Sequence, residues 1–114
     1  MAYTDLTYLK EITGGESEIV KEMIEMFLAQ VSEFKENLDK HLKDENWVDL
    51  GKEAHKAKSS VLIVGMEELG KNLKKLQLLT EEEEDVDSYE DYVEMFNEQT
   101  DAAIKELQEE LDKL

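Results

Sequence analysis

The chain has 114 residues, 40% of them apolar, no cysteine, no proline and a formal charge of −17. The absence of cysteine excludes disulfides, thiolate nucleophiles and Cys-based metal centres, while the absence of proline permits long unbroken helices. So negative a chain, without a single arginine, argues against nucleic acid and anionic membrane surfaces as partners. The longest apolar run, Val61 to Val64, falls far short of a bilayer span, and the acidic N-terminus has no signal-peptide pattern. The expectation is one soluble, cytoplasmic domain over residues 1–114.

In chain order, Thr4 is expected to cap a short helix over Asp5 to Ile12, with Leu6, Tyr8, Leu9 and Ile12 as its apolar side and Gly14-Gly15 as its stop. A long helix from Glu16 or Ser17 to Lys43 follows. Its apolar positions Val20, Met23, Ile24, Phe27, Val31, Phe34, Leu38 and Leu42 share one face. Asp44-Glu45-Asn46 connects it to a third helix, with Asn46 as N-cap and Trp47, Leu50, Ala54, Ala57, Val61 and Val64 at core spacing. Gly65 ends that helix. A fourth helix, Met66 to Glu81, buries Met66, Leu69, Leu73 and Leu76, and the acidic run Glu81 to Asp85 forms its frayed end and a solvated loop. Ser88, with Asp91 three residues on, is expected to cap a last helix presenting Tyr89, Tyr92, Val93, Phe96, Thr100, Ala103, Ile104, Leu107, Leu111 and Leu114. Short connectors between long amphipathic helices predict an all-α fold: an antiparallel up-down-up-down four-helix bundle with a short N-terminal capping helix.

Charge is unevenly spread over this frame. Residues 52–75 carry six lysines against three acids, net +3, whereas the rest of the chain is net −20. His55 lies inside that basic island, and helical phase turns it roughly 130° from the core direction of its helix, onto a solvent flank. Lys58 follows one turn along the same side. Ala54, Ala57, Ser59 and Ser60 are small, so the imidazole stands proud of its surroundings. In a hairpin turning at Gly65, His55 lies ~15 Å before the glycine and Gln77 ~18 Å after it, at similar height. Gln77 is then either a solvated helix residue or an amide that bonds one imidazole nitrogen and leaves the other free. His41 stands alone near a helix end, where it complements the helix dipole. No HxxxH or HExxH metal spacing, glycine-rich phosphate loop or Ser-His-Asp order is present, and the Asp85–Asp91 run lacks the glycine of a calcium loop.

Ala54-His55-Lys56-Ala57-Lys58-Ser59-Ser60, followed by Gly65, resembles the A-H-x-L-K-G-S signature of histidine-containing phosphotransfer (HPt) domains. Asn46-Trp47-Val48-Asp49-Leu50 resembles the family's D-W-x-x-L helix start. Gly14-Gly15 with Phe27-Leu28, and Leu69, Leu73 and Leu76, extend the likeness over about residues 4–83. The resemblance implies a phosphocarrier without ATP-binding or autokinase motif, relaying a phosphoryl group between receiver-domain aspartates in a two-component phosphorelay. It implies His55 as the phosphoryl acceptor, Lys58 as the phosphate-stabilising cation and Gln77 as the imidazole-orienting side chain. Response-regulator receiver domains and a hybrid sensor histidine kinase are the implied partners. The chain needs no cofactor of its own and no metal, Mg²⁺ belonging to the receiver. Leu62 and Met66, with Lys56 and Ser59, are the expected docking surface beside His55, on a monomer. The family's leucine and glycine are Ala57 and Ser59 here; Ser59 either reduces clearance at the docking face or donates a hydrogen bond to the phosphoryl group. These departures leave a rival, an HPt-like helical module that docks response regulators without being phosphorylated. A metal- or ligand-binding bundle would need inward carboxylates and histidines that the pattern does not supply. Met1 and the short leader favour a free-standing protein over an excised domain.

Overall fold

A 27-residue helix sets the length of the molecule. In the computed structural model, which describes residues 3–114, α2 covers Ser17–Lys43 and spans ~40 Å at 1.5 Å per residue, against a longest dimension of 43 Å. Ahead of it lies α1, Thr7–Ile12; after it come α3, Trp47–Ile63, α4, Glu67–Glu82, a 3₁₀ turn at Val86–Ser88, and α5, Tyr89–Lys113. Among the described residues all regular structure is helical, and no helix is long and apolar enough to cross a membrane. Met1 lies outside the described residues.

The helical spacing read from the sequence becomes one core. Val20, Ile24, Phe27, Val31, Phe34 and Leu38 of α2 meet Leu50, Ala54, Ala57 and Val61 of α3, Leu69, Leu73 and Leu76 of α4, and Val93, Phe96, Ala103 and Leu107 of α5. Burial of this kind is worth roughly 1.5–3 kcal/mol per large side chain, which is what offsets the ordering of four long helices. Each long helix packs against the next in the chain, and α5 also lies against α2. Polar contacts mark the pairings. Asn37 meets Glu53 and Gln30 meets Ser60 between α2 and α3; Lys35 meets Asp101 and Asp39 meets Asn97 between α2 and α5; Asn72 meets Met95 between α4 and α5.

Several ends differ from expectation. Helix α1 begins two residues later than the sequence indicates, and Thr4 does not cap it. The Thr4 amide and hydroxyl, with the Tyr3 amide, bond the Glu106 carboxylate of α5 instead. Burial by itself would raise the Glu106 pKa, but these hydrogen bonds outweigh it and hold the carboxyl below its ordinary 4.5. Asp5 takes the local role by accepting from the Thr7 amide and hydroxyl. Tyr8 and Ile12 are exposed, so only Leu6 and Leu9 of α1's expected apolar side reach the core. Gly14 and Gly15 close α1 with positive φ, and the Gly15 amide donates back to the Lys10 carbonyl. Asn46 does cap α3, its Oδ1 accepting from the Asp49 amide at 3.3 Å. Ser88 makes no cap: its hydroxyl turns back to the Asp85 carbonyl within the 3₁₀ turn. At the far end, Leu114 is exposed.

That turn delivers Tyr89 to the bundle, fully buried, its ring edge-on to Trp47 with centroids 5.1 Å apart. Its hydroxyl donates to the Leu79 carbonyl at 2.9 Å. Burial, and then the carboxylates of Glu83, Asp85 and Glu84, push the phenol above its ordinary 10.0. The unfolded chain therefore loses this proton first. Stability from Tyr89 is complete below pH ~10 and falls as pH rises toward the folded-state value. Tyr89→Phe is expected to cost ~1 kcal/mol at neutral pH and to flatten the alkaline fall in urea unfolding. An unaltered alkaline slope in the variant would assign that fall to another group.

Candidate functional site

The site begins with how closely α3 and α4 approach. Gly51, in the first half of α3, is buried against Thr80 of α4; a Cβ there would overlap the Thr80 hydroxyl oxygen and sit 3.3 Å from its Cβ. Thr80 is pinned by its own hydrogen bond to the Gln77 carbonyl, 2.7 Å. Glycine inside a helix costs about 1 kcal/mol relative to alanine, so its presence here reflects this close contact. Further along the pair the arrangement inverts, with Gly70 of α4 receiving Leu62 of α3: a Cβ on Gly70 would lie 2.7 Å from Leu62 Cδ2.

One turn beyond Gly51, His55 emerges on the exposed flank that helical phase predicts. Its Nδ1 is 3.1 Å from Gln77 Oε1 across the helix pair. An amide oxygen only accepts, so in this geometry Nδ1 carries the hydrogen and Nε2 keeps the lone pair. The other end of the same amide is occupied: Gln77 Nε2 donates to Glu81 Oε1 at 3.2 Å, one turn along α4. Around the ring lies a shallow groove of about 520 Å³, walled by Val48, Lys52, Lys56, Thr80 and Glu83.

The basic residues divide. Lys58 is half-buried and makes no ion pair among the described residues, so its charge is uncommitted. Lys56 is exposed but leans to Glu53, 4.0 Å away. Glu53 is a buried carboxylate that the sequence pattern does not single out; Asn37 Nδ2 donates to it at 3.1 Å, tying α2 to the helix that carries His55. Ser59 is exposed and Leu62 is 40% exposed. Met66 is not a surface residue: it precedes α4 as its N-cap, only 3% exposed, with its side chain in the core. The expected docking patch therefore loses Met66. Ser59 and Leu62 instead line a larger depression, about 1020 Å³, shared with Tyr3, Tyr8 and Glu11 of the N-terminal segment. Size does not make that depression the chemical site, because no histidine lines it.

A family model described as "Hpt domain" matches residues 22–114. The chain belongs to the Hpt domain family. The match takes in α3, α4 and all of α5, which the sequence motifs did not reach, and begins after α1. Hpt domains are phosphocarriers of two-component signalling rather than enzymes, and they interact with receiver domains and kinases. Neither the search of curated proteins nor that of solved structures returned a match.

Two features of the site escape the sequence reading. The helix ends at Glu82, one residue past the expected Glu81, and Glu81 lies four residues from Gln77, the spacing of helical neighbours, but the sequence reading does not pair the two. That interval is present in the sequence. The Gly51–Thr80 contact carries a weaker signal, a glycine where helix propensity disfavours one.

Proposed function

We propose that His55 accepts a phosphoryl group from the aspartyl phosphate of a receiver domain and passes it to the aspartate of a second receiver. The observation that carries this reading is the exposed His55 ring held at one nitrogen by Gln77, 3.1 Å away, in a chain of the Hpt family. In the first step the Nε2 lone pair attacks phosphorus and a P–N bond forms. The P–O bond to the aspartate breaks, and the receiver's carboxylate leaves with the electron pair. The Nδ1 hydrogen stays on the ring, bonded to Gln77. The second step reverses these changes on another receiver. Positioning and charge stabilisation dominate phosphoryl transfer, and the receiver brings its own Mg²⁺. This chain needs no cofactor.

Lys58 is the phosphate-stabilising cation in this reading. At a half-exposed position its ammonium is worth ~1–2 kcal/mol to the transferred group, so Lys58→Ala is expected to slow transfer by about tenfold with the fold unchanged. Equal single-turnover rates for variant and wild type would remove Lys58 from the mechanism. Lys56, partly committed to Glu53, is expected to matter less.

The supporting architecture is an up-down-up-down antiparallel bundle capped by α1, read as one unit over residues 1–114. In every adjacent pair, positions that meet rise in one helix as they fall in the other: 30 and 37 with 60 and 53, 51, 55 and 62 with 80, 77 and 70, 72 and 79 with 95 and 89, 35 and 39 with 101 and 97. We place the protein in the cytoplasm as a monomer, working between a hybrid sensor kinase and response-regulator receivers. The deciding experiment incubates it with receivers carrying a labelled aspartyl phosphate. Acid-labile label appearing on this chain supports the relay. Stable docking to a phosphorylated receiver with no label transferred would favour a docking module instead.

A further inference from the structure

An amide has two ends of nearly the same shape. Gln77 can turn either its oxygen or its nitrogen toward His55 Nδ1. Oxygen inward requires the ring proton on Nδ1; nitrogen inward requires Nδ1 to accept and sends the proton to Nε2. Gln77 alone does not select between these. Glu81 does. Its Oε1 lies 3.2 Å from Gln77 Nε2, and an ionised carboxylate only accepts, so it attracts the NH₂ end and repels the carbonyl end. Both residues lie on the same face of α4, one turn apart, and that turn is helical through Glu82.

We propose that Glu81 is a positioning residue which, through the Gln77 amide, sets the tautomer of His55 so that the lone pair lies on Nε2. The selection is needed because an unconstrained histidine side chain keeps its proton preferentially on Nε2, which would place the lone pair on the nitrogen turned toward Gln77. A charge-assisted hydrogen bond at an exposed position biases the amide orientation by about fivefold to tenfold. Removing the carboxylate charge while keeping the side chain's shape withdraws that bias, since a second amide offers both a donor and an acceptor.

The proposal rests on reading His55 as the acceptor, but its test reads a proton and not a phosphoryl group. Long-range ¹H–¹⁵N correlation spectra of the ¹⁵N-labelled protein, recorded at alkaline pH where imidazole is neutral, report which ring nitrogen is protonated. The wild type is expected to show mainly the Nδ1–H form, and Glu81→Gln to lower the ratio of Nδ1–H to Nε2–H by about fivefold. A Gln77→Glu background supplies an internal control. A carboxylate there accepts from Nδ1 whichever way it turns, so Glu81→Gln must then leave the ratio unchanged. A wild type dominated by Nε2–H, or a ratio indifferent to Glu81→Gln, would overturn the proposal. So would an effect of Glu81→Gln that persists in the Gln77→Glu background, because the carboxylate would then act by its field and not through the amide. Failure of phosphoryl transfer with these spectra as expected would count against the acceptor reading and leave the positioning role standing.

Discussion

His55→Gln is expected to abolish labelling of this chain by a phosphorylated receiver, to below about a thousandth of the wild-type rate. An amide has no lone pair of comparable nucleophilicity, and nothing else on the exposed flank replaces it. The side chain keeps much of its size and can still bond Gln77, so the fold should be unaffected; an exposed substitution of this kind stays within about 0.5 kcal/mol. Unchanged urea unfolding beside lost labelling would isolate the chemistry from the structure. Persistent label would point to the other histidine, His41, half-buried near the end of α2 and unsupported by any orienting amide among the described residues. Labelling of His55→Gln at the wild-type rate would sink the proposed function.

The largest effect on stability is expected at Gly65. Its φ is +78°, and the turn it makes brings the start of α4 beneath the N-terminal segment, where the Asp5 amide donates to the Val64 carbonyl at 2.9 Å. A Cβ at this position would overlap the Asp5 carbonyl oxygen and stand 2.7 Å from the Asp5 nitrogen. Those neighbours are backbone and cannot swing aside. Gly65→Ala therefore combines left-handed strain, a displaced N-terminal segment and a lost hydrogen bond, and should cost about 3 kcal/mol or more. Gly14 provides the comparison. Its φ is +67°, but nothing lies within 4 Å of the added Cβ, so Gly14→Ala should show the conformational penalty alone, ~1 kcal/mol. Urea unfolding of the two variants separates strain from collision. Equal losses would mean that the Asp5 segment retreats without cost.

The long helices are legible because burial imposes a period. The apolar positions of α2 and α5 recur at the helical interval, and the same phase puts Leu50, Ala54, Ala57 and Val61 inside and His55 outside. Hairpin arithmetic alone brings Gln77 level with His55. What cannot be read are choices a side chain makes between near and far partners. Thr4 and Ser88 each have cap chemistry, but Thr4 finds the Glu106 carboxylate a hundred residues away, and Ser88 finds a carbonyl three residues back. Met66 is open to two readings, core residue by helical period and docking residue by nearness to His55, and the structure keeps only the first: it stands at the start of α4 with its side chain in the core. Of the five neighbouring acids the first two complete α4 and the rest form the exposed turn expected of them, where Leu79 and Thr80 accept from the Glu84 and Glu83 amides and close the helix end.

The two glycines facing opposite ways across α3 and α4 have a mechanical consequence. Gly51 admits Thr80 from α4, and Gly70 admits Leu62 from α3, so each helix carries a notch that holds a projection of the other. Sliding either helix along the pair would drive both projections into backbone at once. The pair thus resists shear in both directions, and thrust applied to α3 by anything seated on it passes to α4 without relative displacement. On the proposed relay, the imidazole and its orienting amide would then move together, which preserves the angle at which Nε2 meets an approaching phosphorus.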